Sequence, residues 1–160
     1  MENTIHPFYG GPFSQWATCS FEIDGVIYNC AEQYMMAQKA RIFLDQDSFN
    51  RIMATNSPKE QKAIGRRVTN FDAHKWNLLS KDIVYTGNYE KFKQNENLKK
   101  KLISTEGTTL VEASPYDKIW GVGLSEDEPR AQKRETWLGT NWLGETLTKV
   151  REKIQEETSA

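Results

Sequence analysis

The spacing of apolar residues changes period several times along the chain, and each change predicts an element. Residues 19–29, CSFEIDGVIYN, alternate around Asp24-Gly25. An Asp-Gly pair suits a type I′ turn, whose two central positions both need positive φ, so this stretch predicts a β-hairpin. From Cys30 to about Phe43 the period becomes helical, with Asn29 as the predicted cap. Ser57-Pro58-Lys59-Glu60 is a helix start: serine caps, proline takes the first helical position and glutamate reaches back from the third. A helix from Pro58 to about Arg67 follows. Asp72 caps a longer stretch through Trp76, Leu79, Ile83 and Val84, with Gly87 expected to kink or interrupt it. Asn95–Ile103 reads as a short helix, and Thr108–Ala113 and Ile119–Val122 as short strands. Trp142 to about Gln155 is helical, with Leu143, Leu147 and Val150 on one side. Residues 1–16, rich in rings, glycine and proline, are expected to be irregular but packed. Ser125–Arg134 and the polar C-terminal tail are the stretches expected to be mobile. The sum is an α+β fold, mainly helical, in one compact domain over residues 1–160 with a short hairpin and a few short strands. Helices and strands do not alternate in a βαβ rhythm, which argues against a doubly wound parallel sheet.

One helical stretch carries an unusual pattern. In AEQYMMAQKA, residues 31–40, Glu32 and Lys39 are seven apart. At roughly 100° per residue they lie about 20° apart around the helix and about 10 Å apart along it. Met35 and Met36 fall on the same stripe, and Ile42 and Phe43 continue it. An acid and a base threaded through an apolar face are too far apart for a direct salt bridge, yet placed to line one cleft. Each also has a plain structural role open to it. Asn29-x-x-Glu32 has capping-box spacing, with Glu32 bonding the Asn29 amide. The Lys39 stem can lie over apolar neighbours with its ammonium in water.

Three further islands carry polar groups beside glycine or aromatic residues. In SPYDKIWGVG, residues 114–123, Asp117 precedes Ile119-Trp120 in a loop opened by Pro115, and Gly121 and Gly123 leave room for a ligand or another backbone. The combination suits a planar heterocycle attached to a sugar. It equally suits a turn in which Asp117 bonds its own backbone and Trp120 packs in the core. Glu112, in a predicted strand, is a third acid, placed either in a site or in solvent. In GTNWLG, residues 139–144, Asn141 fits an N-cap and Gly144 a helix contact better than ligand roles. His6 and His74 are distant in sequence from these islands, and neither Cys19 nor Cys30 has a basic neighbour in sequence, so a Ser/His/Asp or Cys/His nucleophile has no support.

Composition narrows the partners. The net charge is -1, which supplies no long-range attraction to a polyanion, although a local basic patch remains compatible with it. The one basic run, Lys99-Lys100-Lys101, fits a solvated helix end. Five Trp, six Tyr and seven Phe supply stacking surfaces in an otherwise hydrophilic chain. Two cysteines without Cys/His zinc spacing, no signal peptide and no apolar run of spanning length predict a reduced, cytoplasmic protein with no membrane role. The two thiols flank the hairpin closely enough for a disulfide to be geometrically conceivable, but free thiols are the expectation.

The order of these islands resembles the NADAR family, also called YbiA-like. The matching positions are Glu32, Tyr34, Gln38 and Lys39, then Gly65 and Arg66, then Lys91, Phe92 and Gln94. Glu112 follows, then Asp117, Trp120, Gly121 and Gly123, and finally Asn141, Leu143 and Gly144. The match covers roughly residues 8–153. Two positions depart from it: Gln15 stands where many members have Asn or Glu after serine, and Gln33 where many have His. A role for an acid at 15 or an imidazole at 33 is therefore lost or altered.

The resemblance implies an N-glycosidase that breaks a bond between ribose C1 and a heterocycle nitrogen, with no metal or redox cofactor. Family substrates are phosphoribosylamino-pyrimidines of the riboflavin pathway, or ADP-ribosyl groups, including those on guanine in nucleic acid. Nucleic acid is then expected as a partner only in ADP-ribosylated form. A non-catalytic ADP-ribose-binding module is the third reading, and it has no need of an acid on an apolar stripe. In the catalytic reading positive charge builds at C1. Glu32, or else Asp117, stabilises it and draws a proton from water. The remaining acid holds the base or a ribose hydroxyl, and Trp120 stacks on the heterocycle. Arg66 binds phosphate bidentately. Lys39 either neutralises phosphate or attacks C1 of the opened sugar. Tyr34, Gln38, Gly121 and Asn141 are expected to contribute to substrate binding.

Overall fold

A computed structural model of the chain describes residues 4–159. In chain order the elements are strands β1 (Thr4–Phe8), β2 (Phe21–Ile23) and β3 (Val26–Tyr28), helices α1 (Ala31–Ile42), α2 (Gln46–Ala54), α3 (Pro58–Gly65), α4 (Ala73–Gln94) and α5 (Glu96–Ile103), strand β4 (Thr108–Glu112) and helix α6 (Trp142–Ser159). Short 3-10 turns occur at Gly11–Phe13, Pro129–Gln132 and Arg134–Thr136. The fold is α+β and mainly helical, as expected. The chain divides into two compact units, one from Gln15 to Asn95, the other formed by the residues up to Ser14 with those from Glu96 onward.

In the Gln15–Asn95 unit, local signals set most boundaries. Asp24 and Gly25 take φ of 52° and 82°, and β2 pairs antiparallel with β3 around them. Helix α1 begins one residue later than predicted. Its cap is Cys30, whose Sγ accepts from the Gln33 amide, and the capping-box position falls to Gln33. The Asn29 amide donates to Gln33 Oε1 at 2.8 Å, so the capping role considered for Glu32 is taken by its neighbour. The two thiols are free. Helix α2 was not anticipated; Asp45 caps it by accepting from the Ser48 amide and hydroxyl. At α3, Ser57 Oγ accepts from the Glu60 amide as predicted. Glu60 reaches back by accepting from the Thr55 hydroxyl, which in turn accepts from the Ser57 amide.

Close helix packing explains two glycines in this unit. A Cβ at Gly65 would lie 2.0 Å from Met36 Sδ, so α3 approaches α1 as closely as it does only without that atom. Gly87 does not interrupt α4, which runs unbroken from Ala73 to Gln94. A Cβ at Gly87 would lie 2.7 Å from the Tyr34 ring, so the glycine admits an aromatic side chain. Tyr34 meets Tyr28 edge-on at 5.0 Å and Phe21 at 6.2 Å, which ties α1 to the hairpin.

In the other unit, β1 pairs parallel with β4, in register from Thr4 opposite Thr108 to Phe8 opposite Glu112. The N-terminal stretch is therefore partly strand rather than wholly irregular. Pro7 obscured it, since proline is tolerated in a strand where its missing N–H costs no ladder bond. Leu110 and Val111 of β4 are fully buried, as are Leu143, Leu147 and Val150 of α6. Residues 119–122 form a loop instead of the expected strand, and their backbone bonds go to Glu112 at the end of β4, to Leu138 and Asn141, and to the first residues of α6 rather than to a strand ladder. The charged stretch predicted to be mobile contains the Pro129–Gln132 turn, and Ala131 within it is fully buried beside Val111, Val122 and Leu124.

Candidate active site

Helix α1 and its surroundings place the acid and base of the stripe in contrasting settings. Glu32 is buried at 6% exposure, and its backbone amide donates to the Gln15 carbonyl at 2.9 Å. Met35 and Met36, between the two charges, are buried as well. Lys39 is half-buried, with its Nζ 4.7 Å from the centre of the Phe71 ring and 5.6 Å from that of Trp76. Burial pushes the Lys39 amine below the usual lysine range; the Glu32 carboxylate opposes this and the Arg66 guanidinium adds to it. The three side chains thus form one electrostatic group. Arg66 is exposed at the C-terminal end of α3, brought there by the Gly65–Met36 crossing.

Tyr34 and Gln38 lie on the other side of α1. They are about 200° and 240° from Glu32 around the helix axis. Gln38 Nε2 donates to the Tyr28 hydroxyl at 3.3 Å. Both residues line a cavity of about 300 Å³ with Ile42, Leu79, Asp82, Ile83 and Thr86. Ile42, expected from the sequence to continue the stripe, thus lines this cavity with Tyr34 and Gln38 instead.

The two departures from the family pattern have structural jobs. Gln33 Nε2 donates to the carbonyls of Ile52 and Thr55, which fastens the end of α2 to α1. Gln15 donates to Met35 Sδ and accepts from Asn88 Nδ2 at 2.8 Å. Its backbone and side chain therefore both bear on the segment carrying Glu32.

In the other unit, residues 117–123 and 138–143 are laced together. The amides of Leu138, Thr140, Asn141, Trp142 and Leu143 donate to the carbonyls of Val122, Lys118, Gly121, Ile119 and Trp120 respectively. Asp117 Oδ1 accepts from the amides of Ile119 and Trp120 at 2.9 and 2.8 Å. That is the turn-forming role open to it from the sequence. Trp120 is half-buried and meets Trp142 edge-on at 5.5 Å. Asn141 is fully buried with φ of 53°. Its carboxamide accepts from the Glu112 amide and donates to the Leu110 carbonyl, so it holds the loop to β4. Gly121 is buried, and a Cβ there would lie 2.9 Å from the Asp117 carbonyl.

The settings of three residues, Phe71, Trp76 and Lys91, escaped the sequence reading. Phe71 and Trp76 bracket Lys39; Phe71 directly precedes the Asp72 cap and Trp76 is the fourth helical residue, the spacing of a hydrophobic staple. That spacing was the available signal. Lys91 is fully buried, and burial drives its amine down to about 8 against the pull of Cys19 and Cys30. Burial pushes the Cys30 thiol up to about 11, which makes it a cap and not a nucleophile. Nothing in the spacing of Lys91 announces a buried amine.

The fold is thus a mainly helical α+β one with an acid and a desolvated amine on one helix stripe. The NADAR domain model matches residues 6–155. The chain is 44% identical over 149 residues to N-glycosidase R617 of Acanthamoeba polyphaga mimivirus, covering 90% of this chain and 88% of that protein. It is 42% identical to Protein irg-1 of Caenorhabditis elegans, covering 79% of this chain and 61% of that one. The NMR structure of the E. coli protein YbiA superposes with a TM-score of 0.80 at 28% identity, over 99% of this chain and 89% of that one. The chain belongs to the NADAR family and is an N-glycosidase. No helix among the described residues is long and apolar enough to cross a membrane.

Proposed function

We propose that the α1 stripe binds the ribosyl phosphate of a phosphoribosylamino-pyrimidine and hydrolyses its C1–N bond. The observation that carries this reading is the electrostatic group of Glu32, Lys39 and Arg66 on adjoining helices. Arg66, exposed and planar, takes the phosphate. That leaves Lys39 for the chemistry, because desolvation and a neighbouring cation make its ammonium easier to deprotonate than that of a free lysine. Its Nζ adds to C1 of the opened sugar, the C1–N bond breaks and the pyrimidine leaves as an amine that has gained a proton. Water then adds to the Lys39 imine, and ribose 5-phosphate is released with the free lysine. Glu32 stabilises positive charge at C1 and takes the proton from water. In the other unit Asp117 keeps its turn-forming bonds, and Trp120, Asn141 and Gly121 take no assigned part in this step. Tyr34 and Gln38 support α1 from its other side.

A second reading, hydrolysis of an ADP-ribosyl bond, is favoured by one observation. Trp16 is 42% exposed, with Lys62 Nζ 5.9 Å from its ring centre, and Lys62 lies one helical turn before Arg66. A second cation and a second exposed ring suit a second phosphate and a second base. The net charge of -1 favours the small metabolite. Mass spectrometry of the purified protein with phosphoribosylamino-pyrimidines, NAD, ADP-ribose and an ADP-ribosylated guanine oligonucleotide separates the two. Ribose 5-phosphate released from the pyrimidines supports the first reading; ADP-ribose released from the oligonucleotide alone replaces it with the second.

A further inference from the structure

We infer that Phe71 is a positioning residue for the reaction, acting with Trp76 as an aromatic bracket that fixes the Lys39 ammonium on its stripe. The inference rests on the proposed role of Lys39 and adds residues that role did not require. Its basis is geometric. Lys39 Nζ stands 4.7 Å from the Phe71 ring centre and 5.6 Å from that of Trp76, within the range in which a cation is attracted to a ring face. A lysine has four rotatable side-chain bonds, and ordering them costs entropy that a reaction at a single carbon must otherwise meet at each turnover. Two rings met at once restrict that freedom before substrate arrives.

The bracket is itself held from several directions. Trp76 is buried at 9% exposure, whereas Phe71 is 46% exposed, more than a ring serving only the core would be. Phe71 meets Phe43 edge-on at 5.3 Å, which ties it to the end of α1, the helix that carries Lys39. Before it, Asn70 takes φ of 61° and its side chain donates to the Phe43 carbonyl at 3.5 Å. The Thr69 amide donates to Asp45 Oδ2 at 2.9 Å. After it, Asp72 caps α4 by accepting from the amides of His74 and Lys75. A four-residue turn is thus anchored at both ends and projects one ring over the lysine. A staple alone would need an apolar side chain at 71; holding a cation needs a π face.

The test separates those two requirements. Phe71→Leu keeps the apolar staple and removes the ring, and Phe71→Tyr keeps both. The expected result is a melting temperature for Phe71→Leu close to wild type, kcat lower by roughly three- to thirty-fold, KM nearly unchanged, and recovery in Phe71→Tyr. In NMR spectra of the wild type the Lys39 ε-methylene protons should be shifted upfield by the ring currents, and the shift should shrink in Phe71→Leu. Phe71→Leu with wild-type kcat and a wild-type lysine shift would overturn the inference. The NMR readout needs no substrate. If the wild type cleaves no N-glycoside, the proposed function fails while the bracket is still judged by the lysine shift.

Discussion

Glu32→Gln removes the charge of the stripe's acid and keeps its size. Its backbone amide bonds the Gln15 carbonyl and is untouched by the change. The Asn29 amide is bonded by Gln33, so no helix cap is lost. Glutamine matches glutamate in volume, so Met35 and Met36 keep their packing. What disappears is the negative charge. A carboxylate about 4 Å from a full positive charge contributes about 4 kcal/mol at an effective dielectric of about 20. That corresponds to about a thousandfold in rate. The charge also opposes the depression of the Lys39 amine, so its removal should lower that pKa further and move the rising limb of any residual rate profile toward acid. Thermal stability should change by less than about 1 kcal/mol, or about 2–4 °C in melting temperature. The assay is ribose 5-phosphate release beside a thermal melt of the same preparation. Activity within a few-fold of wild type, with a melting temperature lowered by well over that amount, would show that Glu32 is a structural acid and would refute the reasoning.

Other perturbations probe the frame of the site. Gly65→Ala puts a Cβ into the space occupied by Met36 Sδ and should cost about 1–3 kcal/mol in urea unfolding, with partial rescue by Met36→Ala. Gln33→Ala removes the acceptor for the Asn29 amide and the donor to two α2-end carbonyls, and should destabilise by at least about 2 kcal/mol in the same assay. Asp45 is held well below the usual carboxylate range, chiefly by the Ser48 hydroxyl and then by the Thr69 and Ser48 amides. Its contribution is therefore present above the unfolded pKa of about 4 and is lost as pH falls through the folded value. The stability gap between wild type and Asp45→Asn should narrow between neutral pH and acid; a gap that is constant with pH would contradict this.

The stripe was legible because helical periodicity is a purely local property, and seven-residue spacing puts Glu32 and Lys39 on one line whatever packs against them. The hairpin and the α3 and α4 caps were legible for the same reason. What was missed depends on contacts between distant segments. β1 exists because Thr4–Phe8 finds Thr108–Glu112, and Pro7 hides its strand character until the partner is known. Gly87 reads as a helix breaker until the Tyr34 ring is seen to need the space. Asn29-x-x-Glu32 and Cys30-x-x-Gln33 are both spaced as capping pairs, and only the geometry shows that the second pair forms. Whether Lys39 snorkels to water or is desolvated turned on Phe71 and Trp76, more than thirty residues away in the chain.

The central claim is that the Lys39 amine forms a bond to the sugar. Purified protein incubated with a phosphoribosylamino-pyrimidine and cyanoborohydride, then digested and sequenced by mass spectrometry, tests it directly. The account predicts a reduced ribose 5-phosphate adduct on the peptide containing Lys39, at Lys39 itself, and its absence in Lys39→Arg. Continued turnover with no adduct on any lysine, or an adduct confined to another lysine, would contradict it.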